Sequence, residues 1–443
     1  MDVSTAVQQL ISLIEHSNLT KQRVESLQTL KKVYDTFGKI GIEEEFLYKF
    51  IENLLISDSD VRIRNEAALM LHQNFKDKAL KLMRWTLNHE ESSTILSTTY
   101  KTLISILKFI EKKGDSFGKL ALLQEIDLIK EKEFKIGIEI LKSQSDIREF
   151  SYSELTEILI NYFSLLYLKK LYFRLKYTIQ DCKIVELNFM FKGLTKLPIP
   201  ISNLLNLKNL SLRYNQITEI PEWISKLTSL ETLNLNINNI NNLPETIGSL
   251  QHLKELTLWK NELQALPASI SSLNSLKILN LRLNQLNFLP EEIGNLKNLE
   301  ELNLHDNKLT NLPVSFSSLK SLRILNLSWN LFTIFPNSIT ELPSLKILDL
   351  ERNEFSNLSP LIGFVTSLEI LNLCDNRLES IPETLGNLKN LRILNISRNK
   401  LEELPKSIHS LENLEELYLS DNNFKIIPHF LKKMEDRGVK IHL

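Results

Sequence analysis

Apolar residues recur at two different spacings, and the change between them divides the chain. Up to about residue 175 they return every three or four positions with few prolines between them. That period predicts amphipathic helices near 2–15, 20–37, 43–57, 61–73, 76–88, 92–112, 117–142 and 151–176. Beyond about residue 184 a short alternation takes over and repeats every 23 residues. Asparagine recurs at 215, 238, 261, 284, 307, 330, 353, 376, 399 and 422 without an insertion. Proline follows six positions later at 221, 244, 267, 290, 313, 336, 382, 405 and 428; the one failure is Ser359, with Pro360 shifted by one. Around each asparagine lies the frame L-x-x-L-x-L-x-x-N-x-L, as at Leu253, Leu256, Leu258, Asn261 and Leu263. A degenerate copy comes first, at Leu187, Phe189, Lys192, Leu194, Leu197 and Pro198.

Each position of the frame has a physical reason. The L-x-L pair alternates as a short strand, both leucines pointing inward and the residues between them outward. The asparagine ends the strand, and its amide can satisfy buried backbone groups of the neighbouring turn, so stacked copies form a hydrogen-bonded ladder. The proline stops strand pairing and starts a tight helical turn on the opposite side. That turn carries an apolar stripe, Ile224, Ile247, Ile270, Ile293, Phe316, Ile339, Ile362, Leu385 and Ile408. A single repeat leaves both sides of this apolar layer in water, and only stacking covers them.

The pattern resembles the leucine-rich-repeat superfamily over roughly residues 184 to 433, specifically its 23-residue Ras-group type, which includes Scribble and the Ras suppressor protein. The resemblance implies a curved solenoid with a parallel sheet on its concave side, in proteins that act as scaffolds or adaptors, several in small-GTPase or polarity signalling. In the helical part, Asp58-Ser59-Asp60 leading into Ile63, Arg64, Ala67, Ala68 and Leu71 resembles a HEAT repeat; an irregular helical bundle is the other arrangement these spacings allow. The expected fold class is therefore α/β, an all-α, HEAT-like domain over 1–175 followed by a leucine-rich-repeat domain over 176–443. A hairpin over 177–187 would cap the first repeat and a segment over 430–443 the last: a short helix from Phe430 to Arg437, a stop at Gly438 and a final strand.

Composition narrows the function. The 443 residues are 43% hydrophobic and 24% charged, with a formal net charge of −1. A nucleic-acid binder usually carries a basic excess, and none is present. The two cysteines, Cys182 and Cys374, cannot form the paired disulfide caps of extracellular repeat proteins. The start, Met1-Asp2-Val3-Ser4, does not read as a signal peptide, and no apolar run approaches a membrane span. These features lead us to expect a cytoplasmic protein, with no membrane and no nucleic acid among its partners. Sequons such as Asn326-Leu327-Ser328 fall inside the repeat frame and read as accidental.

Candidate chemistry is sparse. Gly114-Asp115-Ser116-Phe117-Gly118 satisfies G-x-S-x-G, but a nucleophile elbow needs a strand before it, and Leu103 to Lys113 has a helical period. His89-Glu90-Glu91-Ser92-Ser93 fails H-E-x-x-H at its last position. Cys374 is expected at an outward strand position as an incidental thiol. We therefore expect no enzyme, no cofactor, no metal and no small-molecule substrate. A hydrolase or ubiquitin ligase hidden in the helical part is the alternative from another class.

Binding is expected on the outward positions of the stacked strands, a wall roughly 50 Å long for eleven strands at ~4.8 Å spacing. One such position is mostly asparagine (Asn188, Asn234, Asn280, Asn303, Asn326, Asn372, Asn395) and reads as consensus. The next pairs are more varied: Met190-Phe191, Arg213-Tyr214, Asn236-Ile237, Trp259-Lys260, Arg282-Leu283, His305-Asp306, Ser328-Trp329, Glu351-Arg352, then Cys374-Asp375, Ser397-Arg398 and Ser420-Asp421. The first seven are rich in Trp, Tyr and Arg, the side chains that most often dominate interfaces. The expected protein-binding residues are Arg213, Tyr214, Trp259, Lys260, Arg282, His305, Trp329, Glu351 and Arg352, unless some of these rings fold down onto the rim. The partner is expected to be a protein; the family resemblance adds a small GTPase as a more specific alternative.

Overall fold

The computed structural model describes residues 3–37, 43–426 and 428–443. It contains two compact units, Met1–Ile184 and Val185–Leu443.

The first unit is built from α1 Val3–His16, α2 Thr20–Phe37, α3 Glu44–Ser57, α4 Val61–Asn74, α5 Leu80–His89, α6 Ser93–Lys113, α7 Ser116–Asp127, α8 Lys132–Gln144 and α9 Tyr152–Leu171. Consecutive helices pair as α1/α2, α3/α4 and α5/α6, while α2, α4, α6 and α9 pack in succession. Arg64 of α4 ties two of these layers together. Its guanidinium donates to the Asp58 carbonyl at 2.9 Å and pairs with Glu90 beyond α5 at 3.0 Å. The predicted helix over 117–142 is in fact two, α7 and α8. The amides of Leu128 and Ile129 turn back onto the Glu125 and Ile126 carbonyls at 3.2 and 3.1 Å, a tighter closure than an α-helix, and Ile129 is buried in the bend. The predicted helix over 76–88 starts only at Leu80, because Lys78 and Ala79 first close a turn on the Phe75 carbonyl. The last helix stops at Leu171, short of 176. It starts at a capping box, the Ser151 hydroxyl accepting from the Glu154 amide while the Glu154 carboxylate accepts from the Ser151 amide.

A hairpin follows, β1 Lys176–Gln180 and β2 Lys183–Asn188. Its turn residues Asp181 and Cys182 are both left-handed, with φ of 49° and 61°, the twist a two-residue hairpin turn needs. The division between the compact units falls inside β2, and the hairpin turn is tied into the helical packing. Cys182 is fully buried and donates to the Phe134 carbonyl at 3.6 Å, and Ile184 N–H donates to the Asn161 side chain at 2.9 Å. Burial pushes the Cys182 thiol up to about 12, so it is an inert core group.

The second unit continues with β3 Asn209–Ser211, β4 Thr232–Asn234, β5 Glu255–Thr257, β6 Ile278–Asn280, β7 Glu301–Asn303, β8 Ile324–Asn326, β9 Ile347–Asp349, β10 Ile370–Asn372, β11 Ile393–Asn395, β12 Glu416–Tyr418 and β13 Lys440–His442. From β2 to β13 each strand pairs in parallel with the next, and from β2 to β12 the register is 23 residues. Behind each strand from β2 to β11 a five-residue 3-10 turn begins at or just after a proline, as at Glu291–Asn295 after Pro290. Leu302, Leu304, Leu309 and Phe316 of one repeat are all at most 1% exposed, as are their counterparts in the neighbours. Burying each such side chain contributes about 1.5–3 kcal/mol, and only the stack makes that burial possible.

The asparagine forms the expected ladder. Asn284 Nδ2 donates to the carbonyls of Leu258 and Leu281 at 3.0 and 2.9 Å, and its Oδ1 accepts from Leu263 N–H at 3.1 Å. Even the degenerate first copy is tied in, since Lys192 and Leu194 donate their amides to Asn215 Oδ1. Close approach of the turns needs glycine at some positions: a Cβ on Gly294 would lie 2.1 Å from the Ser315 carbonyl oxygen of the next repeat. At the far end α10 His429–Asp436 precedes β13, which pairs with β12. No helix among the described residues is long and apolar enough to cross a membrane.

Candidate functional site

Three-residue strands expose only their first and third residues, and the chain then leaves the sheet. The third position is mostly asparagine, and this residue has a structural duty. Asn280, Asn303, Asn326 and Asn372 each accept, through Oδ1, from the amide two residues on, at 2.9 to 3.1 Å. The side chain thereby caps the strand and starts the turn.

The pairs expected to face outward from the strands sit just past them. The second member of each pair is left-handed: φ is 57° at Tyr214, Ile237 and Lys260, 56° at Leu283, 55° at Asp306 and Trp329, and 53° at Arg352 and Arg398. The left-handed second residue turns the chain out of the sheet directly after the first member of each pair. Expectation and structure therefore differ for Tyr214, Lys260, Trp329 and Arg352, which are turn residues and not strand residues.

Two side-chain clusters result. In the first, Arg213 lies over the Tyr214 ring at 4.8 Å and the Trp259 ring at 5.7 Å, while Arg282 approaches Trp259 from the other side at 5.9 Å. Phe191 extends the cluster by stacking on Tyr214 at 4.4 Å. Trp259, expected to be exposed, is half-buried, and neither its indole Nε1 nor Arg213 Nε has a hydrogen-bond partner among the described residues. Lys260 and Arg282 are exposed. None of Arg213, Lys260 and Arg282 has a carboxylate within 4.0 Å among the described residues, so the cluster carries open positive charge.

The second cluster centres on Trp329, which is 39% exposed. Arg352 stacks on it at 3.7 Å and pairs with Asp375 at 3.6 Å, and His305 lies 5.8 Å away on its other side. His305 Nδ1 is 2.7 Å from Ser328 Oγ. Burial, with the Arg282 charge, holds the imidazole below the usual histidine range. Glu351 accepts from Asn372 Nδ2 at 3.1 Å, and its charge acts on His305 against the lowering.

Cys374 lies on the sheet face, but its thiol is shielded there. It is buried, 3.4 Å from Ser397 Oγ, and burial raises its pKa. The G-x-S-x-G segment is a helix-to-helix loop: Gly114 ends α6 with φ 63° and Asp115 caps α7 by accepting from Gly118 N–H at 2.7 Å. No group of three or more potential metal ligands occurs among the described residues. One column escaped the sequence reading altogether. The first strand residue is also outward, and from β8 to β11 it is isoleucine every time: Ile324, Ile347, Ile370 and Ile393.

Residues 199–283 and 268–359 match a family model described as a leucine-rich repeat region, and residues 366–424 match one described as leucine rich repeat. Among solved structures, a leucine-rich-repeat protein of Leptospira interrogans is 31% identical, covering 57% of this chain and 82% of that one with a TM-score of 0.38. The plant peptide hormone receptor RGFR1, solved with RGF2, is 27% identical over 56% of this chain and 48% of its own, with a TM-score of 0.44. A structure of latrophilin 3, Unc5D and FLRT2 is 23% identical over 60% and 91%, with a TM-score of 0.49. This chain thus spans about half the length of the plant receptor. No curated protein matches it at a significant level. The matched repeats, with the asparagine ladder and parallel sheet they produce, place residues 199–359 and 366–424 in the leucine-rich-repeat family.

Proposed function

We propose that the chain is a non-enzymatic adaptor that binds a protein partner on the open face of its repeat sheet, through Arg213, Tyr214, Trp259, Lys260 and Arg282 first, and Trp329 and Arg352 second. The observation that carries this reading is the arginine–tryptophan–arginine arrangement around Trp259. Large, part-apolar side chains held in place by their neighbours lose little freedom on binding, and their unpaired charges can meet acidic groups of a partner. Stacked helical hairpins and the bridging role of Arg64 support a HEAT-like first unit, which would offer a second surface. Two unpaired, buried cysteines fit a reducing compartment, and we place the protein in the cytoplasm.

The test is capture of partners from native lysate by the whole chain, repeated with Arg282→Ala and with Trp259→Phe. Loss of the same captured protein with both variants supports the reading, and equal recovery sinks it. Comparing lysates loaded with GDP and with a non-hydrolysable GTP analogue tests the more specific reading, which the Ras-group resemblance brings in, that the partner is a small GTPase.

A further inference from the structure

Toward its C-terminal end the open face changes chemistry. Ile324, Ile347, Ile370 and Ile393 stand opposite one another in register on four consecutive parallel strands. All four are half-buried, and Glu301 and Glu416 occupy the same position on the flanking strands. At ~4.8 Å per strand the stripe is about 14 Å long. A single isoleucine at such a position needs only its strand preference as a reason; a row of them is a continuous apolar strip with charged ends.

Beside the strip the face is low. Ser328, Cys374 and Ser397 are small and buried at positions that Arg213, Trp259 and Arg282 fill in the earlier repeats. Two carboxylates stand in this floor. Asp349 is the acid in a run of asparagines, and Glu351 follows two residues on. Asp349 accepts from the Glu351 amide at 3.0 Å and Asn326 Nδ2 at 3.4 Å, and Glu351 accepts from Asn372 Nδ2. These donors are neutral, and neither acid has a cation within 4.0 Å among the described residues. Nearby cations are already paired: Arg352 with Asp375, Lys346 with Glu369 at 2.7 Å, and Arg392 with Glu415 at 2.8 Å. Arg323, at the other end of β8 from Asn326, forms no ion pair within 4.0 Å among the described residues.

We propose that this zone docks a segment of a partner protein that presents a row of aliphatic side chains with lysine or arginine on the side facing Asp349 and Glu351. A shielded carboxylate lacking a counter-cation is unfavourable in the free protein, and a partner's cation relieves it. The inference rests on the reading that the open face binds protein, and assigns an occupant to the part of that face that borders the Trp329–Arg352 cluster and continues beyond it to β11.

The experiment is selection of random peptides displayed on phage against the whole chain, followed by titration of the enriched peptide in synthetic form. Glutamate is native to this column at Glu301 and Glu416, so Ile370→Glu is compatible with folding, and asparagine is the usual residue of the column that holds Asp349. The expected peptide shares spaced aliphatic residues flanked by Lys or Arg. It binds at least about tenfold more weakly to Ile370→Glu and to the double variant Asp349→Asn, Glu351→Gln. It binds Arg282→Ala unchanged, which separates this zone from the first cluster. Absence of an aliphatic–basic consensus, or a consensus peptide indifferent to both variants, overturns the proposal.

Discussion

Asn330 donates its side-chain N–H to the Leu304 carbonyl of the preceding repeat at 2.9 Å, across the boundary that holds the stack together. The same amide serves Leu327 within its own repeat at 3.0 Å, and its oxygen accepts from Leu309 N–H at 3.0 Å. All of this happens at 4% exposure. Asn330→Ala leaves these backbone groups without partners and should lower stability by about 3 kcal/mol, read as a shift in the denaturant midpoint. Asn330→Asp should be worse at neutral pH, since it buries a charge facing carbonyl oxygens. Its carboxyl would have a raised folded-state pKa, so stability should recover as the pH falls through that value.

Ile237 is a β-branched residue in the left-handed region, at φ 57°. Asp306, Asp375 and Asp421 hold the equivalent place in other repeats at 55°, 54° and 58°, and short polar side chains adopt it more readily. Ile237→Asn should raise stability by about 1 kcal/mol, measured by chemical denaturation. No gain would mean that contacts of the isoleucine offset its backbone strain.

Asp349 has a pKa raised by burial, with the Glu351 charge adding to the effect. A carboxyl whose folded pKa exceeds its unfolded one destabilises the fold at neutral pH, and that cost disappears as pH falls through the folded value. Asp349→Asn should therefore melt at a higher temperature than the parent at pH 7, and the difference should shrink on acidification. A pH-independent difference would rule out the charge as its cause.

Arg213 and Arg282 share the Trp259 ring, so their contributions to binding should not be independent. Arg282→Ala should weaken partner binding by about 2 kcal/mol or more without changing the melting temperature. In a double-mutant cycle Arg282→Ala and Trp259→Phe should show a coupling of about 0.5–2 kcal/mol. Trp259→Ala is a poorer probe than an exposed ring would be, since removing a half-buried side chain should also lower the melting temperature.

The repeat sheet, the asparagine ladder and the closing strand were legible because a strict period repeats the same buried contacts in every copy. The break between α7 and α8 was not, because Leu128 and Ile129 continue the apolar spacing through a bend that is made by backbone hydrogen bonds. Alternation placed Cys374 on the outward side of its strand but could not show that it is shielded there, with Ser397 Oγ 3.4 Å from the thiol. The place of Tyr214, Trp329 and Arg352 past the strand ends depends on a left-handed backbone that no glycine signalled. The isoleucine strip was readable in principle, since writing every 23rd residue from Ile324 displays it; the eye passes over it because one isoleucine in a strand is ordinary.

The rungs of the ladder are not equal at its two ends. Lys192 stands where the first asparagine would be, and Asn422 is only half-buried while Asn238 to Asn399 are enclosed. Amide hydrogen exchange should therefore trace a gradient, fast at the two extremities and slowest midway, because an interior turn can open only by breaking bonds to both sides. Weakening one central rung should therefore speed exchange in the turns on both sides of it while the ends change little.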